Sequence, residues 1–143
     1  TRISNLIELR QKLRVKFSKG VALKPGEVAI TSLDDAFLKR VMMAIEANMG
    51  KEDFEVEDLA RAVFLSRVQL YRKLRALTNL TPADFIRRMR LQRAKELLEK
   101  NAGTVAEIAD SVGFSNHSYF AHSFKELFGI LPGEVRRGQA PVS

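Results

Sequence analysis

Three features of the sequence predict an all-α fold. Apolar residues recur every three or four positions in successive segments, and no segment shows sustained alternation of apolar and polar residues. Glycines and prolines divide the chain into short helical stretches. The predicted architecture is two helix-turn-helix subdomains joined by a long linker helix, preceded by an N-terminal amphipathic helix and a linker.

The N-terminal part is predicted to contain two helices. Residues 2–17 form an amphipathic helix, because their apolar side chains follow helical spacing: Ile3, Leu6, Ile7, Leu13 and Phe17. Residues 18–30 contain two glycines and a proline and are predicted to be a linker. A Ser or Thr cap then starts a helix from about Leu33 to Met49, which Gly50 ends.

Composition and charge narrow the class of protein. The chain has 143 residues, of which 45% are apolar and 29% charged, as in a globular protein. It has no cysteine, which argues against a disulfide scaffold or a thiolate metal site. The net charge is +7, and residues 66–100 alone hold ten basic and three acidic side chains. Concentrated positive charge favours binding to a polyanion, with nucleic acid as the first candidate and an anionic membrane as the second. A solvated helix surface with excess arginine also accounts for the charge.

An internal repeat is the most informative feature of the sequence. Four residues recur 49 positions later: Val56, Leu59, Ala60 and Val63 return as Val105, Ile108, Ala109 and Val112. Five others recur 50 positions later: Leu70, Leu74, Leu77, Leu80 and Pro82 return as Phe120, Phe124, Leu127, Ile130 and Pro132. The second copy therefore carries one extra residue near Ser115 and Asn116. Each copy is a short helix, a tight turn and a second helix, which predicts two helix-turn-helix units.

The second helix of each copy has an apolar face and a polar face. Guanidinium, amide, hydroxyl and imidazole groups on a short exposed helix suit base edges and phosphates in a major groove, although an ordinary polar helix surface also fits. The candidate DNA-binding residues of the first copy are Ser66, Arg67, Val68, Gln69, Tyr71, Arg72 and Arg75. Those of the second copy are Asn116, His117, Ser118, Ala121, His122 and Lys125.

A helix is predicted to connect the two copies. It begins with a capping box at residues 81–84, has Pro82 in its first turn and runs to about Lys100. Its rise of roughly 27 Å is close to the ~34 Å repeat of the major groove, so two reading heads fit adjacent groove segments. Its basic residues are candidate phosphate contacts, or else pair with Glu96 and Glu99: Arg87, Arg88, Arg90, Arg93 and Lys95.

Residues 51–138 resemble the DNA-binding domain of the AraC/XylS family of bacterial transcription regulators. The second copy carries most of the resemblance, in the run Ala109-Asp110-Ser111-Val112-Gly113-Phe114-Ser115 and in Tyr119-Phe120, Phe124-Lys125, Gly129 and Pro132. The stretch Arg90-Leu91-Gln92-Arg93-Ala94-Lys95-Glu96-Leu97-Leu98 is similar to the connecting helix of that family. The resemblance implies two helix-turn-helix units that bind adjacent major grooves at a promoter.

Other segments look like the output domain of hybrid two-component regulators. These segments are Ser32-Leu33-Asp34-Asp35-Ala36-Phe37-Leu38-Lys39, Leu65-Ser66-Arg67 and Gln69-Leu70-Tyr71-Arg72-Lys73-Leu74. This resemblance implies an upstream receiver domain in the same chain, histidine kinase activity in the full-length protein and a homodimer on activation. It implies double-stranded promoter DNA and RNA polymerase as partners. A stand-alone AraC-type regulator is the alternative.

These interpretations set the expected domain boundaries. Residues 1–31 are the helix and linker from the receiver, residues 32–138 the DNA-binding domain, and residues 139–143 a tail. Within the domain, the first helix-turn-helix covers about 54–80, the linker helix about 82–100 and the second helix-turn-helix about 104–130. The chain opens at Thr1 without a signal-peptide pattern or an initiator methionine, so we expect a cytoplasmic fragment of a longer protein.

Other classes of function fit less well. The sequence has no cysteine nucleophile, HExxH motif, phosphate-binding glycine loop or calcium loop, so we predict no enzyme activity and no cofactor for this fragment. His117 and His122 are five residues apart, which puts them on different helix faces and argues against a metal site. A helical protein-interaction module would have apolar outward faces, whereas the outward face of the residue 66–77 helix carries Arg72 and Arg75. Membrane contact is not expected, because residues 66–100 lack an aromatic-rich face.

Three departures from the repeat affect the prediction. Phe64 stands where the second copy has Gly113, so the first turn must form without glycine or take another shape. Glu55 stands where Thr104 is the predicted N-cap in the second copy, and glutamate is a weaker N-cap than threonine. The third departure is at the last helix, where Leu131 and Val135 stand in place of Thr81 and the aromatic Phe85, so that helix is expected to be short or loosely packed.

Overall fold

The computed structural model describes residues 32–139. The predictions for residues 1–31, including the amphipathic helix over 2–17, and for residues 140–143 lie outside the described residues. Every regular element within 32–139 is a helix, so the predicted fold class is confirmed. The helices are α1 (Ser32–Ala47), α2 (Val56–Ala62), α3 (Arg67–Thr78), α4 (Pro82–Glu99), α5 (Val105–Ser111), α6 (His117–Phe128) and α7 (Pro132–Gln139).

The described chain divides into two compact units. The first unit contains α1, α2, α3 and the start of α4 as far as Phe85, and the second contains residues 48–55, the rest of α4 and helices α5 to α7. Each unit thus holds one helix-turn-helix, α2–α3 in the first and α5–α6 in the second. The connecting helix, expected over about 82–100, is α4.

Each unit has its own apolar core. In the first, α1 buries one face against α2, and the stripe of Leu70, Leu74 and Leu77 on α3 is buried as its spacing predicts. In the second, Phe120 and Phe124 on α6 are buried, and ring centroids 5.2 and 5.8 Å apart link them in a chain that starts at Phe114. Leu127, predicted to point inward, is half-buried. Buried apolar side chains, each worth about 1.5–3 kcal/mol, orient the polar face of each second helix outward.

The repeat extends one helix further back than the sequence analysis recognised. The helix ahead of each helix-turn-helix is α1 in the first unit and α4 in the second. The buried positions of these helices, together with Met49 just after the end of α1, match at an offset of 49 residues: Phe37, Val41, Met42, Ile45 and Met49 correspond to Ile86, Arg90, Leu91, Ala94 and Leu98. Only one of these ten buried residues, Arg90, is polar.

The two turns share one backbone conformation. Phe64 has a φ of 59° and Gly113 a φ of 91°, both in the left-handed region. The hydrogen bonds that close the turns also correspond, since Leu65 N donates to Ala60 O and Phe114 N donates to Ala109 O, each at 2.9 Å. The first turn therefore forms without glycine and keeps the shape of the second. The extra residue of the second copy lies between its turn and the N-cap of α6, which is Asn116.

The last helix agrees with its expectation in length but not in packing. The helix α7 is short, at eight residues, but it is not loosely packed, because Val135 is buried with 7% of its surface exposed. Glu134 Oε1 accepts a hydrogen bond of 2.7 Å from Leu131 N, which helps to fix the start of α7. Valine at position 135 thus packs where an aromatic residue was expected to be needed. In the part of the chain that the structure describes, no helix has the length and apolar character needed to cross a membrane.

Candidate nucleic-acid interface

The predicted outward face of α3 is exposed. Val68 has 57% and Tyr71 48% of its surface exposed, so this face carries apolar side-chain area beside its charged groups. Arg67, Gln69, Arg72 and Arg75 are exposed as well, and so is Ser66 at the N-cap. All seven candidate residues of the first copy therefore lie on the surface of the first unit.

Several of these candidates are held by contacts within the first unit. Ser66 and Gln69 form a capping box: Gln69 N donates to Ser66 Oγ at 3.1 Å, and Ser66 N donates to Gln69 Oε1 at 2.9 Å. Arg67 forms an exposed ion pair of 3.4 Å with Glu57. Arg75 Nη1 donates to the carbonyl of Asn79 at the C-terminal end of α3, at 3.2 Å. These four side chains contribute to the ends of α3, where they are available to DNA only in part.

Val68, Tyr71 and Arg72 line a surface groove of about 660 Å³ in the first unit. Its other lining residues come from the starts of three helices: Val56, Arg67, Thr81, Pro82 and Ala83. Among the described residues, Arg72 has no hydrogen-bond or ion-pair partner. An unengaged guanidinium beside apolar side chains has the chemistry that reads a guanine edge next to a thymine methyl group.

The candidates on α6 are less cationic and more engaged. The side chain of Asn116 caps the helix by accepting from Tyr119 N at 2.9 Å. His117 Nε2 lies 2.8 Å from Asp110 Oδ1, and His122 Nε2 lies 3.8 Å from Glu126 Oε2.

The remaining candidates of the second copy make fewer contacts. Ser118 and Lys125 are exposed, while Ala121 is half-buried. The outward face of α6 thus presents one lysine and two histidines, each histidine next to a carboxylate. It offers a weaker attraction to phosphate than the face of α3 does.

Arg90 is not a phosphate contact, which corrects the prediction for α4. It has 6% of its surface exposed, and its guanidinium donates to four backbone carbonyls of the second unit. Burial lowers the pKa of Arg90 from its ordinary value, and the nearby carboxylate of Glu52 partly offsets this. Its position fits an internal role, because it occupies the place in the repeat that the buried Val41 has in α1.

Three other basic residues of α4 also make contacts within the second unit. Arg93 pairs with Glu96 at 3.3 Å, Arg87 pairs with Glu126 at 3.5 Å, and Lys95 Nζ lies 4.9 Å from the ring centroid of Phe128. Burial raises the pKa of Glu96 above its ordinary value, although Arg93 opposes the shift. The alternative that these arginines pair with Glu96 and Glu99 holds for Arg93, whereas Arg87 pairs with Glu126 on α6.

One exposed aromatic residue was missed in the sequence analysis. Tyr119 on α6 has 50% of its surface exposed, and its ring centroid lies 5.9 Å from that of Phe114. It stands 50 residues after Gln69, so applying the repeat to every candidate of the first copy would have identified it. Over residues 32–139, no three His, Asp or Glu side chains are grouped to hold a metal ion.

A family-level match covers most of the two units. Residues 59–138, more than half of the chain, match the family described as a helix-turn-helix domain. The chain belongs to the AraC-type helix-turn-helix family. The predicted family is therefore confirmed, and so is the predicted function of sequence-specific DNA binding in transcription regulation.

Two curated relatives illustrate the breadth of this family. The chain is 38% identical over 135 residues to Histidine kinase P4 of Formosa agariphila, covering 94% of this chain and 10% of that protein. It is 36% identical over 102 residues to the Msm operon regulatory protein of Streptococcus mutans, covering 71% of this chain and 36% of that protein. The chain thus spans between a tenth and about a third of the length of these relatives.

Solved structures share the AraC-type fold. An AraC-type transcriptional regulator from Chromobacterium violaceum matches with a TM-score of 0.70 and 27% identity, over 79% of this chain and all of that chain. The C-terminal domain of AraT, a response regulator from Geobacillus stearothermophilus, matches with a TM-score of 0.66 and 25% identity, over 75% of this chain and 90% of that chain. The DNA-binding domain of AdpA, solved with a target DNA, matches with a TM-score of 0.65 and 28% identity, over 75% and 97% of the two chains.

Proposed function

We propose that this chain is the DNA-reading output module of a hybrid two-component regulator, and that α3 supplies most of its base discrimination. The observation that carries the second part is the exposed cluster of Val68, Tyr71 and Arg72 on one face of α3, beside the 660 Å³ groove. Reading helices discriminate bases through side chains that are free to reach the major groove of DNA, and Arg72 is such a side chain.

Each candidate residue of the first copy has a proposed role. Arg72 makes a bidentate contact to guanine, while Val68 and Tyr71 contact a thymine methyl group or a sugar. Arg67 and Arg75 contact phosphates, because their ion pair and hydrogen bond are exposed and exchange readily. Ser66 and Gln69 hold the start of α3 in place and reach the backbone of DNA through their remaining polar atoms.

The second copy is proposed to add affinity and a smaller share of the base discrimination. Ser118, His122 and Lys125 face outward along α6, with Asn116 and His117 at its start and the small Ala121 between them. Tyr119 joins them as an exposed aromatic residue.

The two-component part of the proposal rests on similarity. A protein named as a histidine kinase matches nearly the whole of this chain, and the C-terminal domain of a response regulator shares its fold. A receiver domain ahead of this chain would place two DNA-binding domains on repeated sites when phosphorylation pairs the receivers, raising occupancy through effective concentration. Cytoplasmic location, homodimerisation on activation and contact with RNA polymerase belong to the same proposal. A stand-alone AraC-type regulator is the second candidate, supported by the match to the Msm operon regulatory protein.

Selection from random duplexes tests the base-reading proposal. The wild-type chain should enrich one motif, and Arg72→Ala should relax the preference at one or two positions of that motif while retaining helicity. Such a contact is worth about 1–3 kcal/mol of discrimination. Arg40→Met on α1 is the charge-matched control and should return the wild-type motif. Equal weakening on every duplex would make Arg72 a phosphate contact instead.

Artificial dimerisation tests the two-component proposal. Fusion of the chain to a dimerising partner at its N-terminus should raise affinity for a direct repeat of the selected motif, with little change for a single copy. The unfused chain should sediment as a monomer or a weak dimer. An unchanged direct-repeat affinity would contradict the control model and favour the stand-alone regulator.

A further inference from the structure

The guanidinium of Arg90 joins the turn of the second helix-turn-helix to the loop of residues 48–55. Nη1 donates to the carbonyls of Met49 and Val112, at 2.7 and 2.8 Å. Nη2 donates to the carbonyls of Lys51 and Phe54, at 2.9 and 3.4 Å. Because Val112 is the C-cap of α5 and immediately precedes the turn, Arg90 fixes the point at which the chain leaves that helix.

Glycine at position 113 is what allows this contact. A Cβ atom there would lie 1.7 Å from Arg90 Nη1 and 2.8 Å from its Cζ, so any side chain would displace the guanidinium. The same loop also holds the far side of the turn, where Glu52 Oε2 accepts hydrogen bonds from Ser115 N at 3.1 Å and from Ser115 Oγ. Ser115 directly precedes Asn116, the N-cap of α6. Both ends of the turn are therefore anchored to one loop.

We propose that Arg90 and Glu52 are positioning residues for base reading by α6, an inference that rests on the proposed function. A side chain must be held within about 0.5 Å of its productive geometry to discriminate a base. The turn from Val112 to Asn116 sets where α6 begins and in which direction it runs. The buried guanidinium makes no contact with DNA itself, and its hydrogen bonds act through the backbone of that turn.

The first unit provides the internal contrast. The position of Arg90 in the repeat is taken there by Val41, which has no hydrogen-bonding group in its side chain. The turn of the first copy therefore lacks this anchor, and we expect base reading by α3 to be independent of Arg90. Loss of Arg90 should accordingly affect one half of a bound DNA site and leave the other half unaffected.

Binding of the 143-residue chain to three duplexes tests this selectivity. The first duplex carries the motif selected by the wild type, and the others have either the α3 segment or the α6 segment scrambled. The α3 segment is the part whose preference Arg72→Ala relaxes. For each variant, the ratio of affinities between intact and scrambled duplexes measures discrimination at each segment, independently of the active fraction of protein.

Arg90→Met should lower discrimination at the α6 segment by about tenfold, the size of one base contact, and leave the α3 segment within about twofold. Arg90→Lys retains one donor nitrogen and should recover part of the loss. Arg40→Met removes the same charge from α1 and should change neither ratio. An equal fall at both segments, as from a general loss of structure, would overturn the proposal, and so would an unchanged α6 ratio.

Glu52→Ala keeps the test decisive if Arg90→Met does not fold. Glu52 is exposed and lies outside the helices, and its loss removes the hydrogen bonds to Ser115. It should lower discrimination at the α6 segment alone, by less than Arg90→Met. Wild-type protein that discriminates only at the α3 segment would overturn the positioning role while leaving the proposed function intact. Wild-type protein that discriminates at neither segment would refute the proposed function itself.

Discussion

The turn of the first helix-turn-helix contains Phe64, which is 92% exposed and has a φ of 59°, whereas the turn of the second contains Gly113, with a φ of 91°. The left-handed conformation costs an ordinary L-residue about 1–2 kcal/mol, and glycine adopts it freely. The first turn therefore stores strain, and no described residue anchors it as Arg90 anchors the second turn. The second turn is unstrained and is held by Arg90 and Glu52. The two turns thus have the same backbone shape, but the first is strained and the second is held by side-chain hydrogen bonds.

The outward faces of α3 and α6, which are the proposed reading faces, also differ between the two units. The face of α3 combines arginines with exposed apolar side chains, and its Arg72 is unengaged within the described residues. The face of α6 carries histidines beside Asp110 and Glu126. A strained turn thus precedes the helix with the stronger chemistry for DNA, and an anchored turn precedes the weaker one. Substitutions in the turns test the difference in strain and anchoring, and substitutions in the outward faces test the difference in DNA binding.

Gly113→Ala should have the largest effect on stability. Its Cβ would occupy the space of the Arg90 guanidinium, so a buried charge would lose its carbonyl partners, at a cost of about 3 kcal/mol or more. Urea unfolding measures the loss. Gly129→Ala is the matched control, because Gly129 also has a positive φ, 82°, but nothing lies within 4 Å of the added atom. Equal losses for both variants would show that only the backbone conformation matters.

Phe64→Gly should stabilise the protein by about 0.5–1 kcal/mol, the relief of left-handed strain less the added entropy of the unfolded chain. Little packing is lost, because the side chain is almost fully exposed. Thermal or urea unfolding measures the gain. Asn79→Gly, at a position with a φ of 61°, should change stability less, since asparagine tolerates this region. A loss of stability for Phe64→Gly would mean that its ring makes contacts that stabilise the first unit.

Glu96→Gln should have the smallest effect, and one that depends on pH. Burial raises the pKa of Glu96, so its neutral form is favoured in the folded state, and its contribution to stability falls as pH rises through the raised value. The variant should gain stability relative to the wild type as pH increases from about 4 towards neutrality. Unfolding at a series of pH values measures this difference. A stability difference between Glu96→Gln and the wild type that does not change with pH would contradict this assignment.

The sequence predicted much of the fold because apolar spacing determines which helix faces are buried. The stripe of Leu70, Leu74 and Leu77 and its counterpart at Phe120 and Phe124 oriented both reading helices correctly. The role of Arg90 was wrong because residue type outweighed position: an arginine on a basic helix was assigned to the surface, although its place in the repeat is a buried one. Extending the 49-residue offset back to Val41 would have indicated burial.

Turn geometry and side-chain partners were harder to predict. The conformation of Phe64 follows from the hydrogen bond that closes its turn, which overrides the preference of phenylalanine. The engagement of Ser66 and Gln69 in a capping box has a sequence signature and was predictable from their spacing. The contacts of His117 with Asp110 and of Arg87 with Glu126 depend on how helices pack, which one sequence does not specify.

Unequal contribution of the two reading helices is the central claim, and paired truncation measures it most directly. Affinity for the selected duplex is determined for Arg72→Ala with Arg75→Ala, and separately for His122→Ala with Lys125→Ala, with helicity checked for both. Loss of the two arginines should weaken binding by about tenfold or more beyond loss of the His122 and Lys125 side chains. A larger loss from the His122 and Lys125 pair would contradict the account and place the main DNA contacts on α6.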